Sequence, residues 1–206
     1  MADAVYPDSV DPACYPGTTT FVNHLKITDH NVLQEKEAGF TAIRSIELFQ
    51  RAEIIQQTFD FPHLKAIHYY LFQDLYAWAG MPRSYDVKKG SDVFTPACEL
   101  PKYEADVFSR SIDFSHLSTR PSISEVAGSL AACLGIINIF HPFPEGNGRA
   151  QRIFISSLAR VFQYSLDWNS AYPWEIVETS KSVHKGNYEP LELLMERIIR
   201  DEASAR

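Results

Sequence analysis

The chain has 206 residues, of which 45% are hydrophobic and 22% charged, which fits one globular domain with a sizeable core. A net charge of −7 without Lys/Arg clusters argues against general DNA or RNA binding. Cys14, Cys98 and Cys133 are too widely spaced for a metal motif or a disulfide framework, and Cys133 reads as a small core residue. Met1 to Pro16 lacks the apolar stretch of a signal peptide, and no apolar run is expected to reach bilayer-spanning length. The expectation is a cytoplasmic protein with no membrane and no direct nucleic-acid partner.

Residues 1–20 carry Pro7, Pro12, Pro16 and Gly17 and read as an irregular arm, ahead of a single domain over 21–206. Tyr6 and Tyr15 in that arm offer hydroxyls that the protein itself could modify. Asp29 is a plausible N-cap for a helix to about Gln56, with Leu33, Phe40, Ile43, Ile46 and Ile54 near helical spacing. Phe61-Pro62 opens a second helix, whose stripe is Leu64, Ile67, Leu71, Leu75 and Trp78 and whose end is Gly80. His63 and His68 within it read as structural or solvated. Arg83 to Pro96 changes character: Tyr85, Val87, Val93 and Phe94 favour strands around a Lys88-Lys89-Gly90-Ser91-Asp92 turn. Leu100 to Ile112 is helical again. Ser122 with Glu125 forms a capping-box pattern before a segment that is apolar nearly all round to Phe140, the expected central helix. Helices follow from Arg149 to Phe162, from Pro173 to Val183 and from Leu191 to Ile199.

Between the central helix and the next lies His141-Pro-Phe-Pro-Glu-Gly-Asn-Gly-Arg-Ala-Gln-Arg152. Pro142 disfavours the α conformation for His141, so the helix should end there with the imidazole at its tip. Gly146 and Gly148 permit backbone angles that turn N–H groups into one concavity, a nest for an anion. The following helix adds its N-terminal dipole. Arg149 and Arg152, three apart, share a face and can fork onto phosphate oxygens. Glu145 is placed to hold Mg²⁺ on those phosphates, or to pair with Arg149 four residues on. His141 is the one group able to serve as a general base near neutral pH.

This stretch resembles the signature of the Fic domain, His-x-Phe-x-(Asp/Glu)-Gly-Asn-Gly-Arg-x-x-Arg: His141, Phe143, Glu145, Gly146, Asn147, Gly148, Arg149 and Arg152 fill every fixed position. Leu64 to Gly80 is similar to an upstream helix of these domains, and Arg83 to Pro96 to their β-hairpin flap. The resemblance implies a mostly α helical bundle with a small hairpin. It implies an enzyme that uses ATP and Mg²⁺ to put AMP on a Ser, Thr or Tyr hydroxyl of a target protein. In that reading His141 deprotonates the hydroxyl and Glu145 holds Mg²⁺. Asn147 and the backbone of Gly146 and Gly148 cradle the α-phosphate, Arg149 and Arg152 hold the outer phosphates, and Phe143 anchors the loop. Gly148 stands where phosphorylating relatives carry Lys, which favours AMP transfer. Asn187 and Tyr188 fall where relatives often contact the adenine or ribose. Val93, Phe94 and Thr95 of the flap would pair with an extended target segment.

Many Fic proteins also carry a Ser/Thr-x-x-x-Glu-Gly/Asn helix whose Glu blocks the second motif arginine, here Arg152. The closest approach in this chain is Thr95 with Glu99, followed by Leu100 in the flap region, and it does not qualify. The resemblance then implies a brake supplied by a separate small antitoxin, and B-type subunits of DNA gyrase or topoisomerase IV as targets. Transfer of UMP or phosphocholine, or a catalytically silent binding module, are the competing readings.

Overall fold

In a computed structural model that describes residues 13–89, 92–112, 117 and 121–201, seven α-helices follow one another. They are α1 (His30–Gln50), α2 (Phe61–Phe72), α3 (Leu100–Ser111), α4 (Ile123–Phe140), α5 (Asn147–Val161), α6 (Pro173–His184) and α7 (Glu189–Ile198). Two short antiparallel ribbons accompany them: β1 (Lys88–Lys89) with β2 (Asp92–Val93), and β3 (Tyr164–Leu166) with β4 (Ile199–Asp201). The fold is mostly α with a small hairpin, as the sequence implied.

The central helix is α4. Its capping box is formed: the Ser122 hydroxyl accepts from the Glu125 N–H, while the Glu125 carboxylate accepts from the Ser122 N–H. It packs against α3, α5, α6 and α7, which is why it is apolar nearly all round. Val126, Leu130, Cys133, Leu134 and Ile137 are buried, whereas Ile123 at its first turn stays exposed. Against the expectation for the sequence, α4 is by length and composition apolar enough to cross a membrane. In the fold those apolar faces meet the neighbouring helices.

Asp29 caps α1 by accepting from the N–H groups of Asn31 and Val32. The helix stops at Gln50, short of Gln56, and a single 3₁₀ turn (Ala52–Ile54) follows. Of the apolar residues expected to line α1, Leu33 is buried and Phe40 packs on the core, but Ile43 and Ile46 are 61% and 55% exposed. The inward face runs Leu33, Glu37, Thr41, Arg44 and Leu48, with its polar members paired: Arg44 bonds Asp74 and Glu47.

Asp60 caps α2, which also ends early, at Phe72. The chain then turns until Gly80, whose φ of +74° suits a glycine. That turn brings the Gly80 N–H back onto His68 of α2 at 2.9 Å. Leu75 remains buried although it has left the helix. The β3–β4 ribbon had no expectation behind it; three residues per strand are too few for alternation to register.

Candidate active site

Pro142 ends α4 at His141, which adopts a left-handed conformation (φ 45°, ψ 61°) and stands at the helix tip. The imidazole is buried, with one face stacked on Phe94 (ring centroids 3.8 Å apart, 23° between planes). Its Nδ1 lies 3.2 Å from the Asn138 carbonyl oxygen. A carbonyl oxygen can only accept, so Nδ1 carries a proton, which in the neutral ring leaves the lone pair on Nε2. This is the tautomer that a general base needs.

The loop beyond His141 is seated on α2. Phe143 is fully buried and stacks on His68 (3.8 Å, 20°). The His68 Nδ1 accepts from the Gly80 N–H, so its Nε2 is the donor and reaches the Glu145 carbonyl oxygen at 2.9 Å. Burial pushes the His68 pKa down to about 4 and keeps the ring neutral in this double role. Gly146 has φ +79° and lies so close to α2 that a Cβ there would sit 2.3 Å from the Phe72 ring. Asn147 has a structural job that the sequence did not announce. Its carboxamide is buried, with Oδ1 accepting from the Phe143 N–H (2.9 Å) and Nδ2 donating to the Phe143 carbonyl (2.8 Å). It braces the turn from inside, and its backbone N–H stays open toward a phosphate.

Helix α5 begins at Asn147 with Gly146 as N-cap and no side-chain cap. Among the described residues no acceptor takes the N–H groups of Asn147 and Gly148, so the helix presents open donors at its positive end. Gly148 is exposed, and a Cβ there would lie 3.6 Å from an Arg152 Nη. The half-buried Arg152 makes no hydrogen bond or ion pair among the described residues. Burial, then the neighbouring Arg149, pushes its guanidinium pKa down. An uncompensated cation in such a place is stabilised by an incoming anion.

Arg149 is better provided for. It donates to Glu37 Oε1 (2.5 Å) and to the Thr41 hydroxyl (3.4 Å) on α1, and lies over the Phe72 ring at 4.7 Å. Glu37 in turn accepts from the buried Tyr76 hydroxyl. The expected i,i+4 contact with Glu145 is present but long, at 3.7 Å. Glu145 Oε1 also accepts from the Gly146 N–H. Among the described residues no group of three or more metal-ligating side chains exists. A single carboxylate fits Mg²⁺, which is commonly held by one or two carboxylates together with substrate phosphates and water.

A family model described as Fic/DOC family matches residues 58–159. Over 189 residues the chain is 32% identical to the "Probable protein adenylyltransferase y4lH" of Sinorhizobium fredii, covering 92% of this chain and 96% of that protein. The chain belongs to the Fic/DOC family. It is also 34% identical over 192 residues to the "Protein adenylyltransferase VbhT" of Bartonella schoenbuchensis, spanning 93% of this chain but 40% of that longer protein. Solved structures share the Fic fold. BepC of Bartonella tribocorum, with bound AMPPNP, superposes with a TM-score of 0.83 at 24% identity, over 92% of this chain and 96% of that one. An N-terminal Fic domain from Bartonella quintana with bound ADP gives 0.83 at 25% identity, over 93% and 96%.

The other expected site residues lie around the 141–152 loop and in the flap of the Fic fold. Of the three flap residues expected to meet a target, Val93 is exposed, at 65%. Phe94 is buried on His141, and Thr95 donates its N–H to the Ile139 carbonyl (3.0 Å) while its own carbonyl accepts from Arg83. The Phe94 ring and the Thr95 backbone thus face the protein, where the ring covers the imidazole. Gly90 and Ser91 of the expected turn lie outside the described residues, as does Tyr6; Lys88 and Lys89 form β1 rather than part of the turn. Tyr15 is half-buried in a turn closed by Thr18 and Thr20. Asn187 spends its side chain on the Glu189 N–H (3.2 Å), and the Tyr188 ring packs beside Gly135 of α4. Three residues that shape the site went unrecognised in the sequence: His68 under the loop, Glu37 on Arg149, and Arg83. For His68 and Glu37 the only available signal was a polar residue on the inward face of a helix.

Proposed function

We propose that this protein is an adenylyltransferase that moves AMP from ATP to a hydroxyl of a target protein. The observation that carries the reading is Arg152, a cation without a partner among the described residues, beside the open N-terminus of α5 and in one loop with a histidine whose Nδ1 is held by a carbonyl. The His141 Nε2 lone pair takes the hydroxyl proton as the oxygen attacks the α-phosphorus. The bond from that phosphorus to the bridging oxygen breaks and pyrophosphate leaves. The Asn147 and Gly148 N–H groups and Arg152 supply the positive field that such a transfer needs. Mg²⁺, held by Glu145 with the phosphates, would neutralise charge on the leaving group. The names of the relatives VbhT and y4lH support the same reaction.

Label transfer tests the donor. ATP labelled at the α-phosphate should mark a target protein, and ATP labelled at the γ-phosphate should not. The reverse pattern, or label only from UTP or a phosphocholine donor, would overturn AMP transfer. Within this reading the reaction takes place in the cytoplasm, the acceptor is a B-type subunit of DNA gyrase or topoisomerase IV, and a separate small protein supplies the inhibitory helix. The sequence resemblance supports the target and the inhibitory partner. Purified topoisomerase subunits left unlabelled under conditions where lysate proteins are labelled would remove that target.

A further inference from the structure

Arg83 lies outside the motif, yet its side chain is completely enclosed. The one carboxylate within ion-pair distance among the described residues, Asp86 at 3.8 Å, is 69% exposed. A buried cation so weakly compensated is tolerated only if its N–H groups find acceptors. They find backbone carbonyls on three segments. Nε donates to His141 (2.8 Å), one Nη to Tyr85 (2.9 Å) and the other to Thr95. The backbone N–H of Arg83 itself donates to the Pro142 carbonyl at 2.8 Å. One residue therefore holds the segment leading into β1, the segment leaving β2, and both residues at the end of α4.

His141 needs such a hold. A non-glycine residue in the left-handed region costs about 1–3 kcal/mol and persists only where its surroundings over-determine it. The guanidinium on its carbonyl oxygen and the Phe94 ring on its imidazole both come from, or tie to, the flap. We propose that Arg83 is a positioning residue that locks the flap and the His141 imidazole into one frame. An acceptor chain paired along the flap then presents its hydroxyl at a set distance from the base. The proposal rests on the transfer reading above and deepens it. Lysine cannot substitute, because an ammonium is a point donor and cannot fork onto three separated carbonyls.

Arg83→Gln and the milder Arg83→Lys test this beside the wild-type protein, through three readouts. Amide exchange is followed over residues 92–96 of the flap, over the loop after His141, and over α2 as control. Affinity is measured for a fluorescent ATP analogue, and transfer is measured from α-labelled ATP to lysate proteins. Exchange should rise together in flap and loop by about tenfold or more, with α2 unchanged. Nucleotide affinity should stay within about twofold of wild type while transfer falls by roughly 10²-fold, the cost of a misplaced reacting group. Faster exchange in the flap alone would overturn the proposal, as would faster exchange in all three segments. A loss of nucleotide affinity that parallels the loss of transfer would overturn it too. If the wild-type protein transfers nothing, the function reading fails, and the exchange arm still decides on Arg83.

Discussion

Acid should unseat the loop through His68. In the fold its Nδ1 must accept from the Gly80 N–H, and burial holds its pKa near about 4, against 6.5 for the ordinary group. Between those values the unfolded chain binds a proton that the folded protein refuses. Stability therefore rises with pH across this window, is fully present above about 6.5, and is lost as the pH falls toward 4. At about 1.4 kcal/mol per pH unit, the loss from His68 at pH 4.5 is roughly 2–3 kcal/mol. His63, buried between Phe59 and Phe154 and likewise lowered to about 4, adds a similar amount. The perturbation is His68→Gln, which keeps a donor and an acceptor but removes the titrating group. Urea unfolding of both proteins at about pH 7.5 and pH 4.5 gives two stability differences, and the carboxylates contribute alike to each. The wild-type fall should exceed the variant's by roughly 2–3 kcal/mol. Equal falls would show that His68 does not stay neutral in the fold, and the account of the loop's seat would be wrong.

Gly146→Ala should lower the melting temperature sharply. The left-handed backbone costs about 1–2 kcal/mol and the clash with Phe72 about 1–3 kcal/mol, which together give roughly 4–20 °C in a domain of this size by scanning calorimetry. An unchanged melting temperature would mean the loop does not pack on Phe72 as described. Arg152→Gln should weaken binding of ATP by about 10- to 100-fold, the worth of one charge-assisted contact to phosphate, and weaken AMP far less. Titration of both nucleotides checks this, and equal losses would mean that Arg152 does not hold the outer phosphates.

What the sequence made legible was local. The Ser122–Glu125 capping box, the stop at Pro142 and the turn at Gly146 each need only a few neighbouring residues, and each stands where it was expected. What stayed hidden depends on residues far apart in the chain. The α1 face could not be oriented by hydrophobicity because its inward positions include Glu37, Thr41 and Arg44, which are tolerated through partners on α2, on α5 and in the turn after α2. His68 looked like an ordinary helix residue until Glu145 and Gly80 arrived at its two ring nitrogens. The flap was recognised as a hairpin, but its local sequence did not show that the Phe94 ring and the Thr95 backbone turn toward the protein. Their inward facing follows from Arg83 and His141, and no local pattern announces that pairing.

The most direct test of the central claim compares the wild-type protein with His141→Ala. Each is incubated with α-labelled ATP, Mg²⁺ and a bacterial lysate, and binding of a fluorescent ATP analogue is measured in parallel. The account predicts a labelled protein band with the wild type, no band with the variant, and similar nucleotide affinity for both, because the imidazole acts on the acceptor and not on the phosphates. A band of equal intensity with His141→Ala would contradict the assignment of His141 as the base. Absence of label with the wild type, despite bound nucleotide, would contradict AMP transfer itself.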